Sequence, residues 1–332
     1  MRTPAAPGSR SAHARACLLA LLWSLLAPSA GLGTELAIGV TPSASSLPID
    51  VAFAQNYFAA EGVSLRPVEC GAGPRCMQKL FDHTVQLTAV SELPVVFNSF
   101  ERADYAIVAT LVTSTRNIGL LGRKSAGVTG PQQLLGKRIG VIIGSSSHYF
   151  LDAYLLFHGI DPKQVQVVAL QSENMGAAIE GKQVDALAGY SRHTGPAAKA
   201  LGADAVALEN PRIYTDSYNL IVDRRTLLER EDDIVRILRA LQRAQRFIAE
   251  QPQRAKEIMS ARTGLDPAFV DSIFPGFNFR LTLDQSLVST MEGEARWALR
   301  EGHVPAHRQM PNYLDYVDAA PLLKAVPKAL PR

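Results

Sequence analysis

Residues 138–144 read RIGVIIG, residues 145–158 SSSHYFLDAYLLFH, residues 165–170 VQVVAL and residues 184–189 VDALAG. The first run is apolar without alternation and stops at Gly144, the pattern of a strand buried on both faces. Phe150, Leu151, Tyr154 and Leu155 then recur at helical spacing, and Gly159 closes that helix. Val165–Leu170 reads as a second strand after Asp161–Pro162. Asn174–Glu180 is a short helix ending at Gly181, and Val184–Gly189 is a third strand. The order is β-α-β-α-β, which builds a parallel sheet because parallel neighbours need a long crossover.

The same order lies upstream. Glu35–Val40 reads as a strand, and Pro48 suits the first turn of a helix. Ile49, Ala52, Phe53 and Tyr57 continue that helix to Gly62. Val63–Val68 is a strand, Arg75–Phe81 a short helix and Val85–Val90 a third strand. Two such units in one chain predict an α/β fold of two lobes with mainly parallel sheets. The last third differs. Asp232–Glu250 carries Ile234, Leu238, Leu241 and Ile248 on one helical face, with Asp232 and Asp233 at its favourable end. Arg236, Arg239, Arg243 and Arg246 form a solvated stripe on it. Further helices are predicted over Pro252–Arg262, Pro267–Ile273 and Leu283–Gly302. The expected division is residues 34–114 for part of lobe one, 115–220 for lobe two, and 221–332 for a return to lobe one.

The first 33 residues stand apart. Residues 16–27, ACLLALLWSLLA, form a 12-residue apolar run preceded by Arg10 and Arg15 and followed by small residues. A membrane span needs about 20 apolar residues, so the run reads as a cleaved secretory signal. The segment holds three arginines and no acid. Of 34 basic residues in the chain, 31 then remain against 31 acidic ones, so the apparent net charge of +3 belongs to the leader. That balance argues against a nucleic-acid partner. Beyond the leader, two cysteines remain, Cys70 and Cys76, separated by a turn-forming Gly71, Gly73 and Pro74. They form either a disulfide or two quiet thiols. Neither a metal site nor a cofactor is expected.

Ligands of open α/β sheets bind beyond the carboxyl ends of the strands. That rule selects Ser45 and Ser46 after strand one, Ser91 and Glu92 after strand three, and Ser145, Ser146, Ser147 and His148 in the second unit. Tyr190 and Arg192 follow its third strand, and Tyr214 and Tyr218 lie near the expected return. The Gly144–Ser147 segment opens a helix, whose unpaired N–H groups and serine hydroxyls can hold an anion. One serine acting as an ordinary cap is the simpler alternative. Support for catalysis is thin. No Gly-x-Ser-x-Gly surrounds a serine, Pro305 spoils His303 and His307 as a helical metal pair, and His148 shows no partner.

Residues 35–330 resemble the solute-binding proteins of ABC importers for nitrate, sulfonates and taurine, a family that also has thiamine-precursor-like members. The resemblance rests on Ala52–Phe58 with Glu61–Gly62–Val63, on Gly136–Val141, on Gly144–Leu151, on His158–Pro162 with Val165, on Gly181–Ala186, and on Tyr313–Val317. It implies a type II periplasmic-binding fold: two lobes, two crossover strands and a ligand in the cleft between them. It also implies a monomer in the periplasm that delivers one small anionic or zwitterionic molecule to an ABC permease with its ATPase. Carried onto matching loops, it implies ligand contacts from Ser45, Ser46, Ser91, Ser114, Ser145, Ser146, Ser147 and Tyr190. The tryptophan or acid usual after the third strand of lobe two is replaced here by Tyr190–Ser191–Arg192–His193. Arg192 either pairs with a carboxylate or sulfonate or faces solvent. The alternatives to transport are an enzyme of thiamine-pyrimidine-precursor type and a periplasmic ligand sensor.

Overall fold

The computed structural model describes residues 1–5, 35–208 and 212–329. Apart from its first five residues, the expected secretory segment lies outside the described residues. Strands follow along the chain as β1 (Leu36–Val40), β2 (Leu65–Glu69), β3 (Leu87–Ser91), β4 (Tyr105–Ser114), β5 (Ile118–Arg123) and β6 (Arg138–Val141). They continue as β7 (Gln166–Ala169), β8 (Ala186–Tyr190), β9 (Ala205–Leu208), β10 (Asp216–Asp223) and β11 (Phe277–Asn278). They form two sheets, ordered β11-β4-β10-β3-β1-β2 and β7-β6-β8-β5-β9.

Each expected β-α-β-α-β unit is present as the parallel part of one sheet. β1 pairs with β2 and β3, and β6 with β7 and β8, all parallel. The expectation of mainly parallel sheets stops there. β10 inserts antiparallel between β3 and β4, and β5 runs antiparallel between β8 and β9. These strands give no local sign of direction, because their partners are distant in sequence: Tyr218 lies opposite Ser91, and Ile118 opposite Tyr190. The chain passes to the second sheet between β4 and β5 and returns between β9 and β10. The return is complete by Asp216, ahead of the expected residue 220.

Strands β1 and β3 are buried at every residue, as their unbroken apolar pattern requires. Ile38, Leu87 and Leu220 are wholly removed from solvent, and each such side chain contributes about 1.5–3 kcal/mol. The helix Glu231–Glu250 places Ile234, Leu238 and Leu241 in the same core, so the C-terminal helices cover the first sheet. The second sheet carries cores of its own around Ile139, Leu151 and Ala186, and around Leu121, Ile179 and Leu187. The helix expected from Pro48 to Gly62 is two pieces, Leu47–Ala54 and Tyr57–Ala60. Asn56 breaks it with φ +54°, a left-handed conformation that asparagine tolerates better than most residues. Cys70 and Cys76 form a disulfide, with Cα atoms 5.2 Å apart.

Candidate ligand site between the two sheets

The loops that leave the carboxyl ends of β1, β2, β3 and β8 meet over one cavity of about 20 Å³, room for a water or two. Thr41, Ser43 and Ser45 come from the loop after β1, and Gly73 from the loop after β2. Val90, Ser91 and Pro94 come from the end of β3 and its following helix. Tyr190 and Arg192 close the cavity from the second sheet, and Tyr218 enters from β10. Asn117, on the passage from β4 to β5, completes the wall.

Asn117 ties the wall together. Its Nδ2 donates to Ser45 Oγ at 3.1 Å and to Asp216 Oδ2 at 2.8 Å. Its Oδ1 accepts from Ser191 Oγ at 3.1 Å, and its carbonyl accepts from the Ser191 N–H at 2.7 Å. One amide side chain thus joins the β1 loop, the start of β10 and the helix that follows β8. Tyr218 Oη lies 3.4 Å from Thr41 Oγ1.

Arg192 supplies the charge. Its Nη2 donates to the Gly71 carbonyl at 2.9 Å and its Nη1 approaches the Pro42 carbonyl at 3.5 Å. Its guanidinium carbon lies 5.8 Å from the centre of the Tyr190 ring. Its Nε is buried without a partner, and so is Ser43 Oγ. Burial pulls the Arg192 pKa below its usual value, the mark of a cation poorly compensated by the protein. No carboxylate is among the residues that line the cavity.

A group of acids lies close behind. Glu92 Oε2 accepts from Ser217 N at 3.0 Å and Ser217 Oγ at 2.7 Å. Burial first, and then the Asp216 charge, push the Glu92 pKa up to about 8. Burial pushes Asp216 up to about 6. Burial and then the Glu92 charge raise Glu294 well above the usual carboxylate range, and its Oε1 accepts from Tyr214 Oη at 3.1 Å. Glu92 Oε1 and Glu294 Oε2 have no other partner. A hydrogen bond between the two carboxyls raises Glu294 further, and a proton held there gives both orphaned oxygens a partner.

The structure sorts the residues expected from sequence. Ser45, Ser91, Tyr190, Arg192 and Tyr218 line the cavity. Glu92 sits behind Ser91, turned to Ser217. Ser46 Oγ lies 2.7 Å from the Ser43 carbonyl and 2.8 Å from Asp50 Oδ2, so it secures its own turn. Ser114 Oγ accepts from the N–H groups of Arg116 and Asn117, each at 3.1 Å, and shapes the passage between sheets. Ser145 Oγ lies 2.8 Å from both the Ile142 carbonyl and Ser147 Oγ. Ser146 is fully buried, with its side chain beside the cavity-wall residue Tyr190. None of these three serines lines the cavity. His148 packs against Trp297 and His303, with ring centres 5.1 and 4.7 Å away. Burial, then His303, lowers its pKa to about 4, which removes it as a base near neutrality. Tyr214 is held at Glu294. Among the described residues no group of three or more His, Cys, Asp or Glu is placed to hold a metal.

Ser43, Gly73 and Asn117 were missed. Ser43 stands in the loop that the strand-end rule selects, two residues before the serine chosen. Asn117 and Gly73 carry no local signal, because their importance comes from segments far away in sequence.

The sequence profile described as NMT1/THI5 like matches residues 43–255. The chain belongs to that family. A Bacillus subtilis (strain 168) protein named for binding aliphatic sulfonates is 25% identical over 244 residues, covering 72% of this chain and 73% of that one. The taurine-binding periplasmic protein of Escherichia coli (strain K12) is 29% identical over 142 residues, 42% of this chain and 44% of the other. Among solved structures, the alkanesulfonate-binding protein of Xanthomonas axonopodis pv. citri, bound to MOPS, superimposes with a TM-score of 0.74 at 19% identity. That match covers 86% of this chain and 98% of the other, and it establishes the periplasmic-binding architecture. Among the described residues no helix is long and apolar enough to cross a membrane.

Proposed function

We propose that the chain is an extracytoplasmic solute-binding protein. It captures one small anion, a sulfonate first among the candidates, and delivers it to an ABC permease with its ATPase. Membership of the family and the named sulfonate- and taurine-binding relatives support the general reading. One observation carries the site and the charge of the ligand: two buried donors, Arg192 Nε and Ser43 Oγ, lack partners and belong to a single cavity with no acid in its wall. An anionic oxygen accepts from both and neutralises the guanidinium, whereas a cation there meets uncompensated repulsion.

The mechanism is physical. A cavity of about 20 Å³ is smaller than a sulfonate, so the sheets must part about the two passages that join them for entry and then close on the ligand less completely than in this structure. The first sheet contributes Ser43, Ser45 and Ser91, and the second contributes Tyr190 and Arg192. A ligand reaches all of them only when the halves close, and that differential affinity shifts the population toward the closed form. The partner at the membrane then reads the closed shape. Relatives with binding names, and a cavity wall whose serines have no histidine among them to act as base, favour capture over turnover.

The test is a thermal melt with ethanesulfonate, taurine, nitrate and sulfate, combined with NMR of the added compound. At 1,000 times its Kd a ligand contributes about 4 kcal/mol of stability, so a bound sulfonate produces a clear rise in Tm while its spectrum stays unchanged. Absence of any shift across the panel, or a new product in the spectrum, overturns the proposal.

A further inference from the structure

β2 and β7 are the outer strands of their respective sheets, and the loops that follow them touch. The segment after β2 is the disulfide ring Cys70–Cys76, whose second half, Gly73–Cys76, is the first turn of the helix Gly73–Phe81. Arg75, inside the ring, donates from Nη1 to Glu173 Oε1 at 2.7 Å and from Nη2 to Gln171 Oε1 at 2.8 Å, a fork that grips the loop after β7. Gly71, also inside the ring, accepts from Arg192 of the second sheet at 2.9 Å. It stands at φ +60°, a left-handed conformation that favours glycine. Gly73 is part of the cavity wall.

The ring is fixed from below. Cys76 is wholly buried and Cys70 nearly so, and both belong to the core of the first sheet. The bond therefore fastens to that core a loop of five intervening residues that three groups of the second sheet hold. Without it, Gly71 and Ala72 are held by the chain alone, and Arg75 depends on the first turn of the helix Gly73–Phe81, the end of a helix that frays most readily.

We propose that the Cys70–Cys76 disulfide is a redox-sensitive clamp on the contact between the two sheets. Reduction by a dithiol transfers two electrons and two protons to the bond. Cys70 and Cys76 end as thiols and the dithiol as its own disulfide. The freed ring then loosens the Arg75 fork and the Gly71–Arg192 contact together. Coupling is reciprocal, so the closed contact in turn favours the oxidised bond. This clamp is independent of the identity of any solute, and its test needs none.

The experiment uses the full chain without added ligand. The rate of reduction by dithiothreitol is read by alkylation of the released thiols and mass spectrometry, in the native protein and in Arg75→Ala and Glu173→Ala. Exposed ion pairs of this kind carry energies equivalent to about two- to fivefold in an equilibrium constant, and each variant is expected to be reduced faster by a factor in that range. In parallel, hydrogen exchange is compared between the oxidised and reduced native protein. Faster exchange is expected at residues 171–175 and 190–193 on the second sheet, a change that local loosening of residues 65–81 does not produce. Equal reduction rates in all three proteins, or an exchange gain confined to residues 65–81, overturns the clamp.

Discussion

Replacing Arg192 with methionine is the sharpest perturbation of the proposed site. Methionine keeps much of the apolar stem and removes the guanidinium. The native side chain spends two donors on the Gly71 and Pro42 carbonyls and leaves Nε free. Each carbonyl bond contributes about 1 kcal/mol net, while burial of the charge opposes it. Without ligand these effects offset, and stability is expected to change by less than about 1 kcal/mol. With a sulfonate the balance is different, because a hydrogen bond to a charged group is worth about 1.5–3 kcal/mol. Affinity for ethanesulfonate is therefore expected to fall roughly 10- to 150-fold. Isothermal titration calorimetry measures it, with ethanesulfonamide as a neutral control of similar shape. The native protein should prefer the anion, and Arg192→Met should abolish that preference. Unchanged ethanesulfonate affinity refutes the reasoning, and so does an equal loss for both compounds, which would assign the effect to shape.

Three further outcomes follow from the same geometry. Asn117→Ala leaves Ser45, Asp216 and Ser191 without their shared partner; urea denaturation should show a loss of about 2–4 kcal/mol, and a loss below 1 kcal/mol would contradict its role as the tie. Glu92 and Glu294 bind protons more tightly folded than unfolded, so stability should decline as pH rises from about 5 to 8, by up to about 1.4 kcal/mol per pH unit for each such group. Glu294→Gln removes one of these groups and the like charge beside Glu92, and should flatten that slope; an unaltered slope by urea titration at several pH values would reject the shared proton. Ser145→Ala should lower the Tm because it breaks the bonds to Ile142 and Ser147, whereas Ser146→Ala should leave the Tm within 1 °C, about the precision of a melt. The reverse ranking in a melting experiment would show that the two hydroxyls have been assigned the wrong roles.

Both parallel cores were legible because glycine and proline punctuate them and their apolar periods change between strand and helix. Gly62, Gly144 and Gly159 all stand at positive φ, where the sequence placed its stops. β4 and β10 were not legible as neighbours. YAIVATLV and SYNLIV are ordinary apolar runs, and their pairing is decided by closure of a loop of about 100 residues that no local pattern encodes. The site divides the same way. Strand ends located Ser45, Ser91, Tyr190 and Arg192, since topology alone dictates those positions. At Gly144–Ser147 the sequence leaves two outcomes open, because a helix start that bonds its own serines, as Ser145 and Ser147 do, has the same signature as one that bonds an anion. Asn117 stayed hidden because its four partners are contributed by segments 3, 72, 74 and 99 residues distant.

The contacts across the mouth also set how the unliganded protein behaves. Arg75–Glu173 and Lys199–Asp266 join the sheets, and all four side chains are more than a third exposed. Each such pair is worth about 1 kcal/mol at most, which gives the closed form a modest advantage that salt erodes. Arg192 works against closure until an anion arrives, since burying its unpaired Nε costs free energy. Trp297 Nε1 also donates to Asp152 Oδ2 at 2.9 Å across the halves, a buried bond that favours closure, so the empty protein keeps a preference for the closed form that the unpaired Arg192 Nε reduces. A ligand that pairs with the guanidinium adds its free energy to one side only. A shift from 1:99 to 99:1 needs about 5.5 kcal/mol of differential binding, and any advantage the closed form already has lowers that requirement. The unsatisfied guanidinium therefore makes part of the closure free energy depend on the ligand rather than on the protein alone.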